Sequence, residues 1–120
     1  MRAGRTTREV VESHLELRRL GRLEEDLAVN YSPEVVVLAW GEGALRGLDG
    51  VRHTADVLSG YLRTGRYRYE QLLVEGGYAM LEWSAEGDDV RVRDGVDSFA
   101  VHDGRIVCQT IHYTVSTDEP

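Results

Sequence analysis

The sequence predicts an α+β domain in which helices lead and an antiparallel sheet follows. Two stretches in the first half carry a helical period, at Val10, His14 and Leu17 and again at Val51, Ala55, Leu58 and Leu62. The second half alternates apolar and polar residues between the turns Gly76-Gly77, Gly87-Asp88-Asp89 and Asp103-Gly104. The order α, α, β, α, β, β, β, β segregates helices from a strand meander. At 120 residues the chain is expected to be a single domain (1–120), with a core over 6–115 and a frayed tail at 116–120.

The first helix opens on Thr6 and Glu9, the spacing of a capping box. Val11 and Leu15 flank its apolar stripe, while Glu12, Glu16, Arg18 and Arg19 fill the other faces. Gly21 interrupts it, and a second helix runs over 23–30 until Ser32-Pro33, because proline disfavours helix in the residue before it. Residues 35–40 are apolar and β-branched, which predicts a strand covered on both faces. Gly41, Gly43, Gly47 and Gly50 mark a loop. Asp49 is expected to cap a third helix that Gly65 ends. Strands follow over 67–75, 78–85, 90–101 and 105–115, the last two joined by the hairpin chemistry of Asp103-Gly104.

Composition excludes several partners. The net charge is −7, and all fourteen basic residues are arginine. Nucleic acid is not expected, since a phosphate-binding surface needs a basic stripe. The densest stretch, Arg63, Arg66 and Arg68, reads as a solvated strand end. Arg2, Arg5 and Arg8 precede an amphipathic helix and not an apolar run, so no secretory signal is expected. The longest apolar run is far below the ~20 residues of a membrane span. A location in the cytoplasm, away from membranes, follows as the expectation. Cys108 stands alone, which precludes an intrachain disulfide. No histidine or cysteine pair has metal-ligand spacing, so neither a metal nor a cofactor is expected. Gly41, Gly43 and Gly47 lack phosphate-loop spacing, and Ser59 and Ser98 sit in no nucleophile elbow.

Strand parity assigns faces. Leu81, Trp83 and Ala85 point inward. On the long strand, Arg93, Gly95, Asp97, Phe99 and Val101 share a parity, and Phe99 and Val101 make it the inner one. Asp97 is thereby carried inward, where a carboxyl needs partners. Hydrogen bonds from Arg91, Arg93 or the backbone would satisfy it, and a dry site would raise its pKa. His14 lies on the apolar face of the first helix, either as a satisfied core histidine or as a site residue. His53 and His102 face solvent, while Trp40, Cys108 and His112 fall on the outer sheet face.

Three stretches together resemble the nuclear transport factor 2-like superfamily, in its SnoaL-like and ketosteroid-isomerase-like branch. They are residues 14–21 with Tyr31-Ser32-Pro33-Glu34 after them, Leu45-Arg46-Gly47-Leu48-Asp49-Gly50-Val51, and 95–106 with the strand that follows. The resemblance spans about residues 6–115. It implies a strongly curved sheet wrapped on three helices into a cone with an internal pocket for a small apolar ligand, and a homodimer formed through the outer sheet face. Position by position, the late-strand acid of the isomerases matches Asp97. Their first-helix tyrosine matches His14, a supporting tyrosine matches Tyr31, and another falls near Ala55. The general-base position is Ala39, which holds no proton. The His-Trp-Asp of polyketide cyclases falls on Gln109-Thr110-Ile111, and the Arg and two Asp of limonene-epoxide-hydrolase-like proteins fall on Trp83, Ala85 and Ile111.

The resemblance implies an isomerase- or cyclase-like enzyme that moves a proton next to a carbonyl, with Asp97 and His14 catalytic. Tyr31, Trp83, Phe99, Val101, Gln109, Ile111 and Tyr113 would bind the substrate. The alternatives are a non-catalytic ligand-binding module, favoured by Ala39, and a cone filled by its own side chains that acts through a dimer.

Overall fold

The computed structural model describes residues 4–62 and 65–117. Arg2, Arg63 and the last three residues of the expected tail lie outside them. Three helices, α1 (Thr7–Arg19), α2 (Leu23–Asn30) and α3 (Gly47–Tyr61), pack on a six-stranded sheet of β1 (Tyr31–Ala39), β2 (Gly43–Arg46), β3 (Arg66–Glu75), β4 (Tyr78–Glu86), β5 (Val90–His102) and β6 (Arg105–Thr117). The spatial order is β2-β1-β6-β5-β4-β3. All neighbours are antiparallel except β1 and β6, so the sheet is mixed and not wholly antiparallel. β2, α3, β3, β4 and β5 lie between these two strands in sequence, a connection long enough for parallel pairing.

Several expectations about elements are corrected. The glycine-marked loop contains β2, a short strand that forms a hairpin with β1. The first strand begins at Tyr31 and takes in Pro33, where its pairing to β6 is interrupted between Tyr31 and Val36, so the missing proline N–H costs no ladder bond to β6. It is covered on one face only: Val35, Val37 and Ala39 are buried, whereas Leu38 is 46% and Trp40 80% exposed. Helix α3 starts before Asp49. Arg46 is its N-cap, Gly47 turns the chain at φ +73°, and Asp49 pairs with Arg52 at 2.7 Å inside the first turn. Residues 116 and 117 belong to β6 and not to a tail.

The capping box of α1 forms, with Glu9 N–H donating to Thr6 Oγ1 and Thr6 N–H to Glu9 Oε1. Helix α2 has no basic residue in its last turn. Two distant arginines serve its terminal carbonyls instead: Arg105 donates to Ala28 O, and Arg5 donates to Val29 O. The core joins Val10 and Val11 of α1, Leu27 of α2 and Val51 of α3 to the inner face of the sheet.

Parity holds along β4, where Ala79, Leu81, Trp83 and Ala85 are buried. It fails once on β5. Asp94 adopts φ +55°, and the register to β6 shifts between Arg93 and Val96. This bulge inserts one residue and exchanges the faces. Val92 is therefore buried and Arg93 exposed, contrary to the expected inward parity of Arg93, while Gly95, Asp97 and Phe99 stay on the inner side. A second shift, between Ala100 and Val101, does the same on β6 and lets both Ile106 and Gln109 point inward.

Candidate functional site

Between the helices and the inner sheet face lies a cavity of about 90 Å³. Helix α1 contributes His14, Leu15 and Arg18 to its lining, and the end of β1 contributes Ala39 with Glu42 from the turn beyond. Val51, Thr54, Ala55 and Leu58 of α3, Tyr67 and Tyr69 of β3, Leu81 and Trp83 of β4, Asp97 of β5, Gln109, Ile111 and Tyr113 of β6, and Trp40 line the rest.

Two hydrogen-bonded chains of side chains end at this cavity. The first begins at Asp26, which has no exposed surface. Its Oδ2 lies 2.7 Å from His14 Nδ1, and its Oδ1 accepts from Asn30 Nδ2 at 2.9 Å. Asn30 also donates to Ser13 Oγ and accepts from Arg5. A carboxylate acceptor at Nδ1 makes that nitrogen the donor and leaves Nε2 as the nitrogen with a free lone pair. The His14 ring is held edge-on by Tyr31 and Phe99, with centroids 5.6 and 5.5 Å away.

The second chain centres on Asp97. Trp83 Nε1–H donates to its Oδ1 at 3.0 Å and Gln109 Nε2–H to its Oδ2 at 2.9 Å, and Gln109 Oε1 accepts from the Tyr31 hydroxyl. The donors are thus Trp83 and Gln109, in place of the Arg91 and Arg93 considered from sequence. Burial raises the Asp97 carboxyl above its ordinary 3.8, against these two hydrogen bonds and the pull of His14 and Arg18. Burial also pushes Tyr69 and Tyr113 up to about 12, so the cavity's phenols are neutral donors. Among the described residues no buried side-chain nitrogen or oxygen lacks a partner.

Of the residues singled out from sequence, His14, Asp97, Trp83, Gln109, Ile111 and Tyr113 come together on one cavity. Tyr31 stands one bond behind it, through Gln109. Phe99 lies beneath His14 in the core, and Val101, paired to Ile106, sits farther along β5, so neither is in the lining. Ala39 occupies the cavity wall where the resemblance expected a base. The sequence reading missed Asp26, Glu42, Tyr67 and Tyr69. It also set Arg18 among the solvated faces of α1, although its i+4 spacing from His14 was a signal for the inner face.

Among the described residues no cluster of three or more His, Cys, Asp or Glu side chains is placed to hold a metal ion, and no helix is long and apolar enough to cross a membrane.

The sequence model of the SnoaL-like domain matches residues 11–109. No curated protein matches the chain. Among solved structures it is similar to a putative ketosteroid isomerase from Kribbella flavida (18% identity, TM-score 0.77, covering 95% of this chain and 82% of that one). It is also similar to a putative polyketide cyclase from Sinorhizobium meliloti (17%, 0.71, 87% and 94%). A third is an NTF-2 like protein of unknown function from Burkholderia xenovorans (15%, 0.73, 95% and 87%). At these identities the likeness is one of fold.

Two outcomes follow from the Asp97 arrangement. A Cβ on Gly95 would lie 2.5 Å from the Trp83 ring and 2.7 Å from its carbonyl oxygen, and main chain cannot yield. Gly95→Ala is expected to lower stability by about 1–3 kcal/mol in urea unfolding through overpacking against the indole; an unchanged midpoint would show that Trp83 is not held there. The raised Asp97 pKa favours the folded state most below pH 3.8, and this stabilisation is lost as pH rises through the folded-state value. Urea titrations from pH 3.5 to 7 should therefore show wild type losing stability relative to Asp97→Asn as pH rises. A difference that moves the other way would mean that Asp97 is stabilised as the anion.

Proposed function

Because the chain belongs to the SnoaL-like domain family, we propose that it is an acid–base enzyme that moves a proton next to a carbonyl on a small, largely apolar substrate. The observation that carries this reading is the meeting, on one small cavity, of a histidine backed by a buried carboxylate and a second carboxyl whose neutral form burial favours.

The roles follow from the hydrogen bonds. Asp26 fixes the His14 tautomer and stabilises the imidazolium that forms when Nε2 accepts a proton from the substrate α-carbon. Asp97 in its neutral form donates its proton in a hydrogen bond to the carbonyl oxygen as negative charge develops there. Trp83 and Gln109 each supply one donor to it, and Tyr31 holds the Gln109 amide in the orientation that presents Nε2–H. With His14 as base, the alanine at position 39 is no obstacle. A cavity of about 90 Å³ is smaller than the ~150 Å³ engineered void that takes benzene, so it admits the reacting end of a ligand with the remainder toward the open side.

The reading is tested by deuterium exchange at the α-carbons of phenylacetone, 2-tetralone and phenylpyruvate, followed by NMR in D2O. Wild type is expected to accelerate exchange on at least one of them. His14→Asn keeps a donor toward Asp26 and removes Nε2, so it should lower the rate by about 100-fold or more, as should Asp97→Asn, with melting curves showing both variants folded. Binding without exchange above buffer would replace the enzyme by a ligand-binding module.

A second copy of the chain is the partner we propose for the outer sheet face. The register aligns Leu38, Thr110, Ser98, Met80 and Leu73 in one row across five strands, and none of them carries a charge. Trp40 lies tilted beside His112 next to that row, with ring centroids 6.3 Å apart. An isologous contact places this neutral row on itself, which a chain of net charge −7 needs in order to meet its own copy without repulsion at the centre. Sedimentation at micromolar concentration should give twice 13.5 kDa, and Met80→Arg should reduce it to 13.5 kDa; a wild-type monomer would overturn the proposal.

A further inference from the structure

Arg18 is a full charge on the cavity that the proton-transfer roles leave unused. It follows His14 by four residues, so α1 stacks the two side chains on one face, and both line the cavity. It is half-buried. Other arginines are paired: Arg19 with Glu16, Arg22 with Glu25, and Arg52 with Glu24 and Asp49. Among the described residues the Arg18 side chain makes no hydrogen bond or ion pair, and the other arginines whose side chains make none, Arg46, Arg66, Arg68 and Arg93, are exposed. The charge of Arg18 reaches inward, where it acts on Asp97, Tyr31, Tyr67 and Tyr69.

A guanidinium drawn partly out of water on a cavity that Leu15, Leu58 and Tyr67 also line loses hydration that no side chain of the described residues replaces. Its planar fork of donors matches a carboxylate in two parallel hydrogen bonds. The other acid on the lining besides Asp97 is Glu42. It comes from the turn after β1 and has His53 Nε2 at 3.5 Å, so its charge faces a cationic partner when His53 is protonated. We infer that the ligand of this cavity is a small carboxylate, its carboxylate forked by Arg18 and its apolar part running past Leu58, Leu81 and Trp83 toward the open side. This rests on the reading of the cavity as the substrate site and names the substrate class.

The test compares 3-phenylpropionate with 3-phenylpropionamide, which share shape and differ in charge, by NMR titration of the whole chain. Wild type is expected to prefer the carboxylate by at least tenfold. Arg18→Gln should abolish that preference with little change in amide affinity, and Arg18→Lys should retain part of it, since an ammonium keeps the charge without the fork. Equal affinity for the two compounds in wild type, a preference that survives Arg18→Gln, or binding of neither compound would overturn the inference. The two readings fail separately. A carboxylate preference without α-proton exchange removes the proton-transfer role and leaves anion recognition standing. Exchange on the neutral ketones by a wild type that shows no carboxylate preference removes anion recognition alone.

Discussion

The arrangement depends first on one carboxylate that water does not reach. Asp26 is fully buried between α1 and α2, and such a group is tolerated only when its lone pairs are met. His14 and Asn30 meet them, and Ser13 and Arg5 in turn hold the Asn30 amide. The same contacts fasten the first helix to the second, hold the start of β1 through Asn30, and fix which nitrogen of His14 remains free. Breaking a pair of this kind typically costs about 3–5 kcal/mol, so the orientation of the histidine is tied to the stability of the helical layer. A core histidine and a site histidine are therefore not competing descriptions of His14.

The sheet side is organised by a shape constraint. Gly95 has no side chain, so the Trp83 indole can lie across β5 and direct its N–H at Asp97. The bulge at Asp94 brings the inward set of β5 back into phase after Val92, and the shift near Val101 does the same for Gln109 on β6. A carboxyl held by two neutral donors in a poorly hydrated place is stabilised less as an anion than one beside an arginine fork, and its pKa lies above the ordinary value. Arg18 supplies the opposing charge from the helix side without contacting the carboxyl. The cavity thus combines a histidine backed by a buried carboxylate, a carboxyl held by neutral donors, and a cation at its wall.

Much of the site was legible because strands and helices are periodic. Parity carried Asp97 and Trp83 inward, and the helical stripe placed His14 on the buried face. Where the period breaks, the reading breaks with it: Arg93 was assigned inward because nothing in Asp94-Gly95 announces a bulge to a count by twos. Arg18 was set with the solvated residues because its charge outweighed its spacing. Asp26 was passed over because a helix of eight residues with three acids in its first turn reads as a solvated surface, and only the packing of α1 shows that one of the three is covered.

By itself, then, the sequence determined the order of elements apart from the short β2, the capping box, the hairpin turns, the inward carboxyl and the resemblance that named the fold. Those are local matters of propensity and alternation. The tertiary structure alone decided that β6 lies parallel to β1, that Asp26 backs His14, that Trp83 and Gln109 rather than arginines hold Asp97, and that Phe99 supports the site from the core. Each is a contact between residues far apart in the chain, and bulges and chain crossings, which leave no periodic trace, set which of them meet.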